Sequence, residues 1–259
     1  MKLTCYGRST WPITVDGTIF LTDSYFDWPY PNFQPADLPP PNYVLVTQAH
    51  WSRIKDLDEF TESTVLANTD LVIYISLDYE LAGAHVMNLG RTVNAGDAQV
   101  LMHCTEHAHG VKCGSFVDTP HEENAKSVGL AVGYVVSDVE PKNREAPGAE
   151  ACLTGDTQLL SEMRDFVAPY LGPKIICVSV VETTDVGRST RSSWQAAITV
   201  DWLGVDYVCP MLAPDARDAG TRFRSELSEL ECGAAVVDLD HGEMYNLAAA
   251  LATQSSLIP

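Results

Sequence analysis

Short runs that suit β-strands recur from one end of this chain to the other, and they limit its fold more than any other feature. The runs are Lys2–Tyr6, Trp11–Val15, Thr18–Leu21, Tyr43–Thr47, Thr64–Ala67, Gln99–His103, Ala131–Ser137, Ala151–Leu153, Lys174–Val181, Tyr207–Pro210 and Ala234–Leu239. They alternate apolar with polar residues or read continuously apolar. Asp16-Gly17 marks a hairpin turn between the second and third runs. Apolar residues at three- and four-residue spacing predict helices over Ser52–Phe60, Thr157–Leu171, Ser192–Leu203 and Thr221–Leu230. Strands dominate the first half and alternate with helices in the second. An α/β or α+β sandwich of packed layers fits this order better than an all-β barrel. Neither a repeat nor a linker divides the 259 residues, so a single domain over residues 1–259 is expected.

Charge narrows the partners. The chain carries 35 acidic against 16 basic side chains, a formal net charge of −19. Phosphate-dense partners require clustered Lys and Arg, so nucleic acid and anionic membrane surfaces are not expected partners. No apolar stretch approaches the roughly 18 residues of a membrane span, and the first residues show no targeting pattern. Seven cysteines, scattered and without a CxxC pair, argue against a disulfide framework and for a reduced, cytoplasmic protein.

Three polar clusters follow strand-like runs, where side chains project into the ligand-binding end of an α/β sheet. One is Gln48-Ala49-His50-Trp51-Ser52-Arg53, another runs from His103 through His107 to His109, and the third is Thr154-Gly155-Asp156-Thr157. Before the first lies Asp27–Asn42, with six prolines. Together with Tyr25 and Phe26 it gathers Trp28, Tyr30 and Phe33, as a loop pinned to the body of the protein or a pocket lid would.

These clusters, in this order, resemble the metallo-β-lactamase fold superfamily, and within it a branch of small metal-dependent hydrolases. The opening Met1–Thr10, the loop Asp23–Asp27, the lead Leu38–Thr47, the Gly155-Asp156-Thr157 signature and the closing Gly233–Tyr245 carry the resemblance. It implies a four-layer αββα sandwich with a cleft along the shared edge of two sheets. It also implies a metal motif H-x-H-x-D-H, which here reads Gln48-x-His50-x-Ser52-Arg53. His107 falls on a further histidine and Asp156 on the bridging carboxylate. Arg8 and Leu212 stand where histidines are usual. On the resemblance, a dinuclear zinc centre cannot assemble from these residues.

What remains is open to more than one chemistry. His50, His107 and Asp156 make a three-ligand set for one divalent metal, zinc or iron, to which Gln48 adds a weak amide oxygen. The same residues also read as a hydrogen-bonded group that binds no metal. Arg53 brings a permanent cation where a family member would hold metal. Its fork suits an anionic ligand or a salt bridge to Asp156 that fills the space. The expected function is therefore a divergent enzyme acting on an anionic or polar small molecule by acid–base chemistry such as isomerisation, cyclisation or elimination, in a biosynthetic pathway for instance. His50, His107, Asp156 and Arg53 would be its catalytic residues, and Arg8, Gln48, Tyr25, Trp28, Trp51 and Leu212 would line its substrate site. A hydrolase with a single metal and a non-catalytic ligand-binding relative are the alternatives. The residues name neither substrate nor oligomeric state.

Overall fold

The computed structural model describes residues 1–7, 9–26, 33–107, 110–112, 115–116, 126–138, 150–181, 192–212 and 218–255. Its first strands are β1 (Lys2–Thr4), β2 (Trp11–Val15), β3 (Thr18–Thr22), β4 (Tyr43–Leu45), β5 (Thr64–Ala67) and β6 (Gly83–Val86). There follow β7 (Thr92–Ala95), β8 (Ala98–Cys104), β9 (Gly110–Lys112), β10 (Ser115–Phe116), β11 (Lys126–Ser127), β12 (Val132–Ser137) and β13 (Glu150–Leu153). The last are β14 (Ile175–Val180), β15 (Tyr207–Leu212), β16 (Ala235–Val236) and β17 (Met244–Tyr245). The helices are α1 (Trp51–Ile54), α2 (Thr69–Asp78), α3 (Ala168–Leu171), α4 (Ser193–Leu203), α5 (Ala219–Glu229) and α6 (Leu247–Ser255).

Among the described residues, two large mixed sheets face each other. One has the order β17-β1-β2-β3-β4-β5-β6 and the other β16-β15-β14-β13-β12-β8-β7. A small third sheet, β10-β9-β11, stands apart from them. The first sheet is antiparallel from β17 to β3 and parallel from β3 to β6. In the second, β7, β8, β12 and β13 pair antiparallel, and β13 to β16 are parallel. The parallel strand β14 is buried along its whole length, as a strand covered on both faces must be. At the hairpin, Asp16 (φ 44°) and Gly17 (φ 96°) both take positive φ, the backbone of the turn expected there.

Three apolar clusters define the layers. Leu3, Ile13, Phe20, Val100, Met102, Val136 and Ile175 fill the space between the sheets. Ile54, Leu57, Phe60, Leu71 and Ile75 cover the outer face of the first sheet, and Ala196, Val200, Phe223 and Leu227 that of the second. Helix, sheet, sheet, helix is the α/β sandwich that the resemblance implied.

Two expected helices are shorter, and the reason bears on the site. The expected Ser52–Phe60 splits into α1 and a 3₁₀ turn at Leu57–Phe60. The Arg53 carbonyl accepts from Ser24 N–H at 2.7 Å and Asp56 N–H donates to the Ser24 carbonyl at 3.1 Å, so the loop after β3 takes groups that would carry the helix on. The expected Thr157–Leu171 is helical only over 161–171, with a π-wound stretch at Met163–Val167. The Thr157 hydroxyl accepts from Glu106 N–H at 2.9 Å, which ties that end to a neighbouring loop. The helices α2 and α6 were not expected. Their apolar residues surround the axis instead of forming one stripe. No described helix is long and apolar enough to cross a membrane.

Candidate active site

The site forms where β3, β4, β8 and β13 run out. Four loops meet there: residues 23–26, 46–53, 105–107 and 154–158. Gly155, at φ 58°, lets the fourth loop approach the second; a Cβ there would lie 3.1 Å from Thr47 Cβ. Glu106 N–H donates to Thr157, and Gln158 N–H donates to the Glu106 carbonyl at 3.0 Å, joining the third loop to the fourth.

Arg53 is the centre of the network. It is 2% exposed and ranks among the largest fully buried side chains. Its Nη1 donates to Asp23 Oδ2 at 3.3 Å and its Nη2 to Asp156 Oδ2. Asp156 accepts a second bond through Oδ1, from the Ser179 hydroxyl at 2.8 Å on β14. Asp23 accepts from Thr47 N–H at 2.8 Å and from the Thr47 hydroxyl at 2.9 Å. Asp23 itself sits at φ 53°, unusual for a residue with a side chain. Burial works against the Arg53 charge, but Asp156 and Asp23 outweigh it and hold the guanidinium above its ordinary value. Burial pushes the Asp23 carboxyl up to about 7, although Arg53 and the Thr47 bonds pull it down.

A second group flanks this one. Gln48 Nε2 lies 3.2 Å from His50 Nδ1, and the His50 and His107 rings meet edge to face, with centroids 4.7 Å apart. All three side chains are buried. Three buried side-chain polar atoms among the described residues have no hydrogen-bond partner: Gln48 Oε1, Arg53 Nε and Thr105 Oγ1. All three lie on the loops of this site.

The expected residues therefore fall into separate groups. His50, His107 and Gln48 come together, and Arg53 meets Asp156 in the salt bridge that was one of its two readings. The set His50, His107 and Asp156 does not assemble as metal ligands. Among the described residues no group of three or more His, Cys, Asp or Glu side chains is placed to hold a metal ion. The Arg53 charge is taken up by two buried carboxylates, Asp23 and Asp156. Leu212 is half-buried and packs with the helices outside the second sheet, 3.1 Å from a Cβ built at Gly220 of α5. Tyr25 is half-buried and its backbone is bonded to the Thr10 hydroxyl, while Trp51 is exposed beside His50. Arg8, Trp28 and His109 lie outside the described residues. Asp23 and Ser179 were missed as site residues. A lone Asp just after an apolar strand, in a chain with an Arg on the next loop, was the available signal for Asp23.

No protein-family profile matches the chain. Among curated proteins, it is 38% identical over 212 residues to a UPF0173 metal-dependent hydrolase of Haloquadratum walsbyi, covering 82% of this chain and 84% of that one. It is 36% identical over 254 residues to a UPF0173 metal-dependent hydrolase of Haloarcula marismortui, covering 95% of this chain and all of the relative. The chain belongs to the UPF0173 family. Solved structures show the fold of this UPF0173 member to be that of the metallo-β-lactamases. Igni18, a metallo hydrolase from Ignicoccus hospitalis, superposes with a TM-score of 0.72 at 20% identity, over 95% of this chain and 98% of its own. The metallo-β-lactamase fold protein YhfI of Bacillus subtilis gives 0.65 at 13%, over 94% and 98%.

Proposed function

We propose that this UPF0173 chain is an enzyme acting on a polar small molecule by acid–base chemistry, with Arg53 in the space where a dinuclear relative carries metal. The observation that supports this is the buried guanidinium held between Asp23 and Asp156. A pair of divalent ions does not fit these residues. A cation would have to sit beside a buried, permanently charged guanidinium, and Asp156, on the bridging position, already accepts from Arg53 and Ser179. Nor does a carboxamide replace imidazole well as a ligand. No step is therefore routed through metal.

In this reading His50 and His107 carry the acid–base work, one imidazole donating a hydrogen bond and the other taking the proton, since histidine is the side chain whose proton exchanges most readily near neutral pH. Arg53 does not bind substrate. It holds the loops carrying Asp23, His50 and Asp156 in one arrangement, and a fixed frame of this kind is what positional catalysis needs. Trp51, exposed next to His50, offers an apolar wall for substrate. Any anion-binding role falls to Arg8. Isomerisation, cyclisation and elimination suit such a group of residues, because each needs proton movement and orientation more than an activated water.

The family name favours a second reading, a hydrolase with one metal between His50 and His107. Elemental analysis of protein purified without chelator separates the two. The acid–base reading expects far less than one ion per chain, and a melting temperature unmoved by chelator or by added zinc, iron or manganese. Stoichiometric metal whose removal lowers the melting temperature would overturn it.

A further inference from the structure

We propose that Gln48 is a positioning residue that fixes the tautomer of His50, holding the imidazole proton on Nε2, so that His50 presents a hydrogen-bond donor there and the proton-accepting role of the pair falls to His107. Gln48 Nε2 approaches His50 Nδ1 at 3.2 Å. A carboxamide nitrogen can only donate, so Nδ1 meets it with a lone pair, and a neutral imidazole then carries its proton on the other nitrogen.

What each amide orientation leaves over decides between them. With Nε2 toward the ring, the atom left without a partner is the carbonyl oxygen Oε1, buried. Turning the amide over would put an NH₂ group in the same place and draw the ring proton to Nδ1. Buried, unpaired N–H groups are rarer than underused carbonyl oxygens, and the turn would exchange such an oxygen for a further unpaired N–H. Gln48 is 3% exposed and His50 7%, so little solvent reaches either group to make up the difference. Gln48 thus sets which nitrogen of the neighbouring imidazole donates a hydrogen bond.

This inference rests on the acid–base reading, because a metal ion on His50 would displace the proton. The test is a long-range ¹H–¹⁵N correlation spectrum of full-length protein labelled with ¹⁵N-histidine, at a pH where the rings are neutral. The His50→Gln variant assigns the His50 signals, and the metal content of the same sample is measured. The wild type is expected to show a bare Nδ1 and a protonated Nε2 at His50. In Gln48→Glu, whose carboxylate only accepts, the pattern should reverse. A protonated Nδ1 in metal-free wild type would overturn this proposal and leave the acid–base reading standing, as would an unchanged pattern in folded Gln48→Glu. A stoichiometric metal ion would overturn both. The wild-type spectrum decides by itself if a variant does not fold.

Discussion

The space between the two sheets and the loop network at the ends of β3, β4, β8 and β13 are both closed to water, by opposite means. Between the sheets, Leu3, Ile13, Phe20, Val100 and Ile175 meet apolar neighbours. The hydroxyl of Tyr134, which crosses that space, reaches the carbonyls of Val46 at 2.8 Å and Leu66 at 2.9 Å. In the loop network a cation and two carboxylates are buried together, and three polar atoms stay unpaired. Apolar packing tolerates small changes one at a time. A buried ion network does not, since removing one member leaves the others charged, out of water and without a partner.

The largest expected effect follows from that difference. Arg53→Ala should cost about 3–5 kcal/mol, because it strands Asp23 and Asp156. Phe20→Ala, a core truncation, should cost a similar 3–5 kcal/mol by another mechanism, lost burial plus cavity. Urea denaturation of the two variants gives the totals, and a double-mutant cycle tells the mechanisms apart. Adding Asp23→Asn to Arg53→Ala should restore part of the loss, because the stranded charge goes with it. If the losses simply add, the ions are not coupled and the contrast between the two regions fails.

Next comes pH. The folded chain keeps the Asp23 proton up to about 7, against an ordinary value of 3.8. The folded state therefore binds the proton more tightly than the unfolded one. This contribution to stability is fully present below about 4 and is lost as the pH rises through about 7, by at most about 4 kcal/mol. Burial also raises Glu150 to about 7, with the same sign. The difference between wild type and Asp23→Asn, followed by denaturation from pH 4 to 8, isolates the Asp23 share. No pH dependence in that difference would mean that Arg53 keeps Asp23 ionised throughout.

The two regions also differ in how far the sequence reveals them. Period-two and continuous apolar runs marked out β2, β3, β12 and β14, because burial between layers leaves that pattern in any strand. The short strands β6, β7 and β17 and the helices α2 and α6 escaped, since neither a run of two to four residues nor a helix apolar on all sides has a distinctive period. In the site, the proximity of His50, His107 and Gln48 and the Arg53–Asp156 pair were legible from order and resemblance. Asp23 was not, because its role depends on a loop 30 residues from Arg53 folding back onto it. The packing of Leu212 against the outer helices was not legible either. A residue at the end of a strand faces one layer or the other, and chain position alone does not say which.

Tyr134→Phe should have a smaller effect. It removes the hydroxyl that joins the second sheet to the ends of β4 and β5, and leaves the carbonyls of Val46 and Leu66 short of a donor. Val46 N–H already reaches the Leu66 carbonyl at 3.2 Å, so that oxygen keeps one bond. About 1–2 kcal/mol is expected, seen as a shift in the urea midpoint at constant slope. A cost equal to that of Arg53→Ala would mean that polar contacts hold the inter-sheet space as tightly as the cleft.

The smallest effect is the one that sharpens the comparison most, because it separates burial from charge. Arg224 and Asp238 also form an ion pair, but both side chains are well exposed. Asp238→Asn should cost no more than about 1 kcal/mol in dilute buffer. At 1 M salt, where screening acts over about 3 Å, that cost should vanish. The Arg53→Ala cost should be the same in both buffers, since ions do not enter a space that excludes water. Salt will shift the absolute stability of a chain with net charge −19, so the comparison uses the difference between variant and wild type in each buffer. If salt weakens the two effects in equal proportion, the Arg53 guanidinium is solvated and the loop network behaves as surface.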